Sequence, residues 1–137
     1  MRLKIKPLSL NQLYPSSRNG RRFLSKEGFA YKTAIQNAVK LNLKSFPNRG
    51  YHLPLKFSYT VYGPFLTAKG QISKTAGDLD NYCKPILDAV SQELGIDDSC
   101  VFKIEANKEL ASDWEVEFTL APTDSPIIHG SCTSTSS

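Results

Sequence analysis

Alternation of apolar and polar positions is strictest in "LKFSYTVYG", where Leu55, Phe57, Tyr59 and Val61 share one face, and it predicts a half-buried strand over 55–63. "CVFKIEANKEL" (100–110) and "DWEVEFTLA" (113–121) alternate in the same way. Phe102, Ile104 and Ala106 share a face of the first; Trp114, Val116, Phe118 and Leu120 share a face of the second. The short join at "ASD" predicts that these two pair as an antiparallel hairpin. Near the start, "RLKIKPL" puts Leu3 and Ile5 on one face and reads as a short strand stopped by Pro7.

Two stretches carry helical spacing instead. Phe29, Ala30, Ala34, Ala38 and Leu41 recur behind Ser25, a good N-cap, and predict a helix at about 26–44. "NYCKPILDAVSQELG" is a second helix closed by Gly95. Proline is tolerated only where no backbone N–H is required, so Pro85 moves its regular start to Tyr82–Lys84. "SLNQLYPSSRNGRR" is a loop by composition, "FPNRGYHLP" breaks the first helix, and residues 64–77 form a flexible or hairpin-like excursion.

The resulting order is β-α-β(β)-α-β-β, an α+β fold with two helices on one face of a small mixed or mostly antiparallel sheet. With 137 residues, 40% of them hydrophobic, the chain can bury one modest core. A single domain is expected over 1–121; the Ser- and Thr-rich, aperiodic stretch 122–137 is expected to be disordered. No apolar run approaches the roughly 18 residues of a membrane span, and "MRLKIKPLSL" is too short and too charged for a signal peptide, so a soluble, intracellular protein without a membrane partner is expected. Cys83, Cys100 and Cys132 lack paired CxxC spacing and nearby histidines, which argues for free thiols over a disulfide framework or a zinc site.

Charge changes the picture through its distribution. The net charge is only +4, yet 14 of the 17 Lys and Arg precede residue 77 and 12 of the 13 Asp and Glu follow it. A basic half suits a polyanion, because cations that neutralise phosphates release counterions; scattered Lys and Arg could equally serve solubility alone.

Within the acidic half, "GDLDNYCKPILDAV" (77–90) places Asp78 and Asp80 two residues apart, pointing the same way if that segment is extended, with Lys84 and Asp88 one helical turn apart behind them. "IDDS" adds Asp97 and Asp98, which could meet the first pair only if the following strand returns alongside. Clustered carboxylates either raise one another's pKa or hold a cation, and an oxygen-only set favours Mg²⁺ or Mn²⁺. Such an ion beside a lysine suits phosphodiester hydrolysis. On spacing alone, a capping turn at "DLDN", an exposed helix face at Asp88 and a polar turn at "IDDS" remain an open alternative.

These motifs resemble the RusA family of Holliday junction resolvases: D-x-D-N, then lysine after two residues, then D-A and an apolar residue, and later an apolar residue before D-D. "NQLY" and "SKEGFAYKTAI" resemble its N-x-x-Y element and its helix opening in S-x-E-G-x-x-Y, so four separated motifs occur in order over residues 8–118. The resemblance implies a homodimer that cuts four-way DNA junctions with Mg²⁺, Mn²⁺ being a possible substitute. It implies Asp78, Asp80 and Asp98 as metal-binding catalytic carboxylates and Lys84 as the catalytic lysine. Asp88 is expected to orient Lys84, Asn81 to cap the helix and brace the site, and Asp97 to be the lesser of its pair. Arg18, Arg21, Arg22 and Lys26, with Lys69 and Lys74 of the excursion, are the expected DNA-contacting cations. The excursion lacks the dense arginine cluster expected before the first aspartate. Two rivals stand beside this reading: a catalytically silent branched-DNA binder of the same fold, and a nuclease of broader flap or fork specificity.

Overall fold

The computed structural model describes residues 1–14, 23–48, 53–73 and 78–123. The expectations for Arg18, Arg21, Arg22, Lys74, Cys132 and the stretch 124–137 lie outside these described residues. Strand β1 is Arg2–Leu3, helix α1 Leu10–Leu13, α2 Lys26–Leu41, β2 Leu55–Gly63, α3 Cys83–Leu94, β3 Val101–Leu110 and β4 Glu115–Pro122. The two long helices and the four-stranded mixed sheet are the α+β fold predicted from the sequence.

The sheet order is β1-β4-β2-β3, with β2 antiparallel to β4 on one side and parallel to β3 on the other. The expected hairpin of the last two strands is therefore not formed. β2 lies between them, and the connection 111–114 crosses its end, where the Ala111 amide donates to the Gly63 carbonyl at 2.9 Å. Two strand spacings amount to about 10 Å, which four extended residues span easily. A Cβ at Gly63 would overlap the Trp114 ring, so the glycine lets the crossing lie flat on the strand end. Trp114 then meets Phe65 edge to face, with ring centroids 5.3 Å apart.

Along β2 the alternation holds, with Leu55, Phe57, Tyr59 and Val61 buried and Lys56, Ser58, Thr60 and Tyr62 partly exposed. Val116, Phe118 and Leu120 of β4 join the same core, which α2 and α3 cover. On β3 the alternation misleads: Phe102, Ile104 and Leu110 are exposed, since β3 is an edge strand, and a register shift between Leu55 and Lys56 leaves Phe102 as an extra residue. The buried stripe of α2 also differs from the expected one. It runs through Gly28, Tyr31, Ile35, Ala38 and Val39, while Phe29 and Leu41 face outward. Gly28 and Tyr31 do not count as apolar in a hydropathy pattern, yet an added Cβ at Gly28 would come within 2.9 Å of Leu13, so this glycine seats α1 against α2.

Helix α1 falls in a segment read as loop. A capping box closes it: Ser9 Oγ accepts from the Gln12 amide and the Gln12 side chain accepts from the Ser9 amide. Ser25 ties the two helices together, its hydroxyl donating to the Gln12 carbonyl at 3.0 Å and accepting from the Gly28 amide at 2.9 Å. The excursion after β2 is a small hairpin bridged at Leu66 and Ile72, with Gly70 at φ 78° in its turn and Lys69 exposed at its tip. No helix among the described residues is long and apolar enough to cross a membrane.

Candidate active site

The parallel pair β2 and β3 must be joined by a crossover, and every carboxylate of the two acidic motifs lies on it. Asp78 enters in extended conformation and caps a single 3₁₀ turn, Leu79–Tyr82, which runs directly into α3. This replaces the extended segment expected at Asp78–Asp80, but with a similar outcome: both carboxylates are exposed while Leu79 packs against the core. The turn closes by a hydrogen bond from the Asn81 amide to the Asp78 carbonyl at 2.9 Å. Asn81 thus lies inside the turn. The expected side-chain cap is absent, because the helix boundary falls at Tyr82, whose side chain makes no capping bond.

Pro85 is buried in the first turn of α3, where its missing N–H costs nothing. At the far end Gly95 adopts φ 68°, ψ 34°, the left-handed cap that turns the chain back towards the sheet. Asp97 then caps a second 3₁₀ turn, Asp98–Cys100, accepting from the Ser99 amide at 2.9 Å. That amide holds the Asp97 carboxyl below its ordinary value. Asp97 is thereby engaged in local structure, and Asp98 is left exposed beside it.

The returning turn carries Asp98 to where its charge acts on Cys83 and Lys84 at the helix start. Lys84 donates to Asp88 at 3.2 Å; this hydrogen bond and the Asp88 charge raise the lysine's pKa, and Asp98 raises it further. Cys83, half-buried between these groups, has its thiol pushed up first by burial and then by Asp88, with Asp98 and Asp80 adding and Lys84 opposing. The charges of Asp80, Lys84, Asp88 and Asp98 thus all reach the Cys83 thiol at the α3 N-terminus. Cys83 and Cys100 are free thiols.

Tyr59 was read from the sequence only as a core position of β2. Its ring is 2% exposed, and its hydroxyl donates to the Leu79 carbonyl at 2.6 Å. Burial pushes the phenol pKa up, and Cys83 and Asp80 push it the same way. No periodicity could have revealed this contact, since it depends on where the crossover lands.

Among the described residues, no group of three or more His, Cys, Asp and Glu side chains is gathered closely enough to hold a metal ion. The donor chemistry still suits Mg²⁺, which is commonly held by one or two carboxylates together with waters and substrate phosphates. Lys26 and Lys69, the expected DNA-contacting cations within the described residues, are exposed.

No curated protein matches the chain. The sequence does match the family described as Endodeoxyribonuclease RusA over residues 4–120, a span that contains β2, the whole crossover and both acidic motifs. With the carboxylate and lysine pattern at the start of α3 and a match over most of its length, the chain belongs to the RusA endodeoxyribonuclease family.

Proposed function

We propose that this protein resolves four-way DNA junctions by paired, symmetric phosphodiester hydrolysis, acting as a homodimer with Mg²⁺, which Mn²⁺ can replace, on intracellular intermediates of recombination and repair. The observation that carries the reading is the match to this nuclease family over residues 4–120, supported by the Lys84–Asp88 pair at the start of α3 and by the charges of Asp80 and Asp98 that reach Cys83 beside it.

Asp78, Asp80 and Asp98 would hold the ion, which when bound polarises a phosphoryl oxygen and acidifies a water. Lys84, kept protonated by Asp88, stabilises negative charge on the phosphate or the departing oxygen. Asp88 orients the lysine and Asp97 shapes the turn that presents Asp98. The exposed Lys26 and Lys69, with Arg18, Arg21, Arg22 and Lys74, contact flanking phosphates. A two-fold dimer sets two identical sites about the junction's own two-fold axis. In its support, the outer edge of β3 is unpaired among the described residues, and it exposes Phe102, Ile104 and Leu110.

The test is cleavage of a synthetic four-way junction beside a linear duplex of equal length, in Mg²⁺, in Mn²⁺ and in EDTA, with Asp80→Asn as control. Paired nicks confined to the junction, lost in EDTA and in Asp80→Asn while junction binding persists, are expected. Binding without cutting in either metal would assign the silent binder, and equal cutting of flaps and forks the broader nuclease.

A further inference from the structure

The turn that carries Asp78 and Asp80 is closed by the Asn81 amide and seated on the core by Leu79 and Tyr82, but no side-chain cap holds its start. Asp78 makes no side-chain capping bond, and α3 starts without a side-chain cap. Both carboxylates are exposed. A ligand-bearing turn that is free at its surface must be fixed from beneath if its carboxylates are to keep a productive spacing.

Tyr59 lies beneath it. It stands in an interior strand, paired with Ala106 of β3 and Phe118 of β4, so its backbone is held on both sides. Its neighbour Phe57 packs 5.5 Å away, centroid to centroid. From this rigid base the hydroxyl reaches the carbonyl of Leu79, the residue between the two aspartates. At 2.6 Å the bond is short, and it ties the core strand directly to that backbone segment.

We propose that Tyr59 is a positioning residue for the metal-binding carboxylates: its hydroxyl, by holding the Leu79 carbonyl, sets the spacing of Asp78 and Asp80. The inference rests on the metal-dependent reading above, and it adds to that reading a buried phenol that touches neither DNA nor metal. Groups of this kind behind a metal site typically change affinity or activity by about 10- to 100-fold when removed.

Tyr59→Phe removes one oxygen and keeps the ring. Val61→Ala, in the same strand and equally buried but without a polar atom to hold the Leu79 carbonyl, serves as the stability control. Three quantities are compared with wild type: the melting temperature, the Mn²⁺ titration followed by electron paramagnetic resonance without DNA, and amide exchange over 79–83 without metal. Tyr59→Phe should melt within about 5 °C of wild type, the shift of a single lost hydrogen bond in a chain of this size. Its Mn²⁺ midpoint should rise about tenfold, and its exchange over 79–83 should quicken by a similar factor. Val61→Ala should lower the melting temperature and change neither of the other two. Unchanged exchange over 79–83 in Tyr59→Phe, or equal changes in both variants, would overturn the proposal. If wild type itself bound no Mn²⁺, the metal-dependent reading would fall, while the exchange measurement would still decide whether Tyr59 holds the turn.

Discussion

Lys84 pairs with Asp88, one turn further along α3, at 3.2 Å. The pairing belongs to the helix itself, so the lysine's charge is present at the site before any substrate arrives. Because the Asp88 hydrogen bond and charge raise the Lys84 pKa above its ordinary 10.5, the ammonium persists throughout the neutral and mildly alkaline range. Lys84→Ala should lower the cleavage rate by about 10²–10³, the usual cost of removing one donor aimed at developing charge. Asp88→Asn should cost less, about tenfold. It should also bring the alkaline fall in rate to lower pH, because the group raising the lysine's pKa has gone. A pH–rate profile for the three proteins checks both the sizes and this shift.

Lys26 at the start of α2 and Lys69 at the hairpin tip are exposed cations without a carboxylate partner in any ion pair of the described residues. Lys26→Ala and Lys69→Ala should each weaken junction binding and reduce the slope of log affinity against log salt by about 1. Charge reversal at Arg21 and Arg22 should act in the same direction. Junction titrations at four salt concentrations measure the slopes.

The edge of β3 offers a direct check on the proposed two-fold assembly. Ile104 is 51% exposed on a strand whose outer side has no partner among the described residues. Ile104→Lys should leave the melting temperature nearly unchanged and convert a dimer to a monomer, as read by light scattering during size-exclusion chromatography. A monomeric wild type would remove the homodimer from the reading, and a variant that stayed dimeric would move the contact to another face.

Gly63→Ala should destabilise the fold by about 1–3 kcal/mol, the range for overpacking a tight site, because its Cβ would overlap the Trp114 ring. A second substitution, Trp114→Leu, should recover part of that loss and make the pair non-additive. Thermal melting of the two single variants and the double variant measures the coupling.

Much of this architecture was legible in the order of residues. Alternation located β2 and β4, Ser25 and Gly95 marked helix ends, and Pro85 placed the regular start of α3 where the structure has it. Pairing was not legible, since alternation tells which side of a strand is buried and says nothing of its neighbour. A four-residue link serves a hairpin or a step across one intervening strand equally well. Helix α1 did carry its signal, the Ser9 and Gln12 capping box, hidden in a polar segment too short for hydrophobic periodicity. At the site, residue types and spacing left a metal-binding cluster and simple polar turns both open, and the family resemblance singled out Asp78, Asp80, Lys84 and Asp98, while the hydrogen bond of Tyr59 to Leu79 joins positions 20 residues apart and exists only after the crossover has folded.

The placement of both acidic motifs on one crossover bears on how the protein is made. A nascent chain that has emerged as far as α3 carries Asp78, Asp80 and Lys84 but lacks Asp98 and the parallel strand that returns it. The interior position of β4 between β1 and β2 cannot be filled until still later. A chain released before Asp98 and β4 are made therefore lacks part of the carboxylate set on which the proposed cleavage depends.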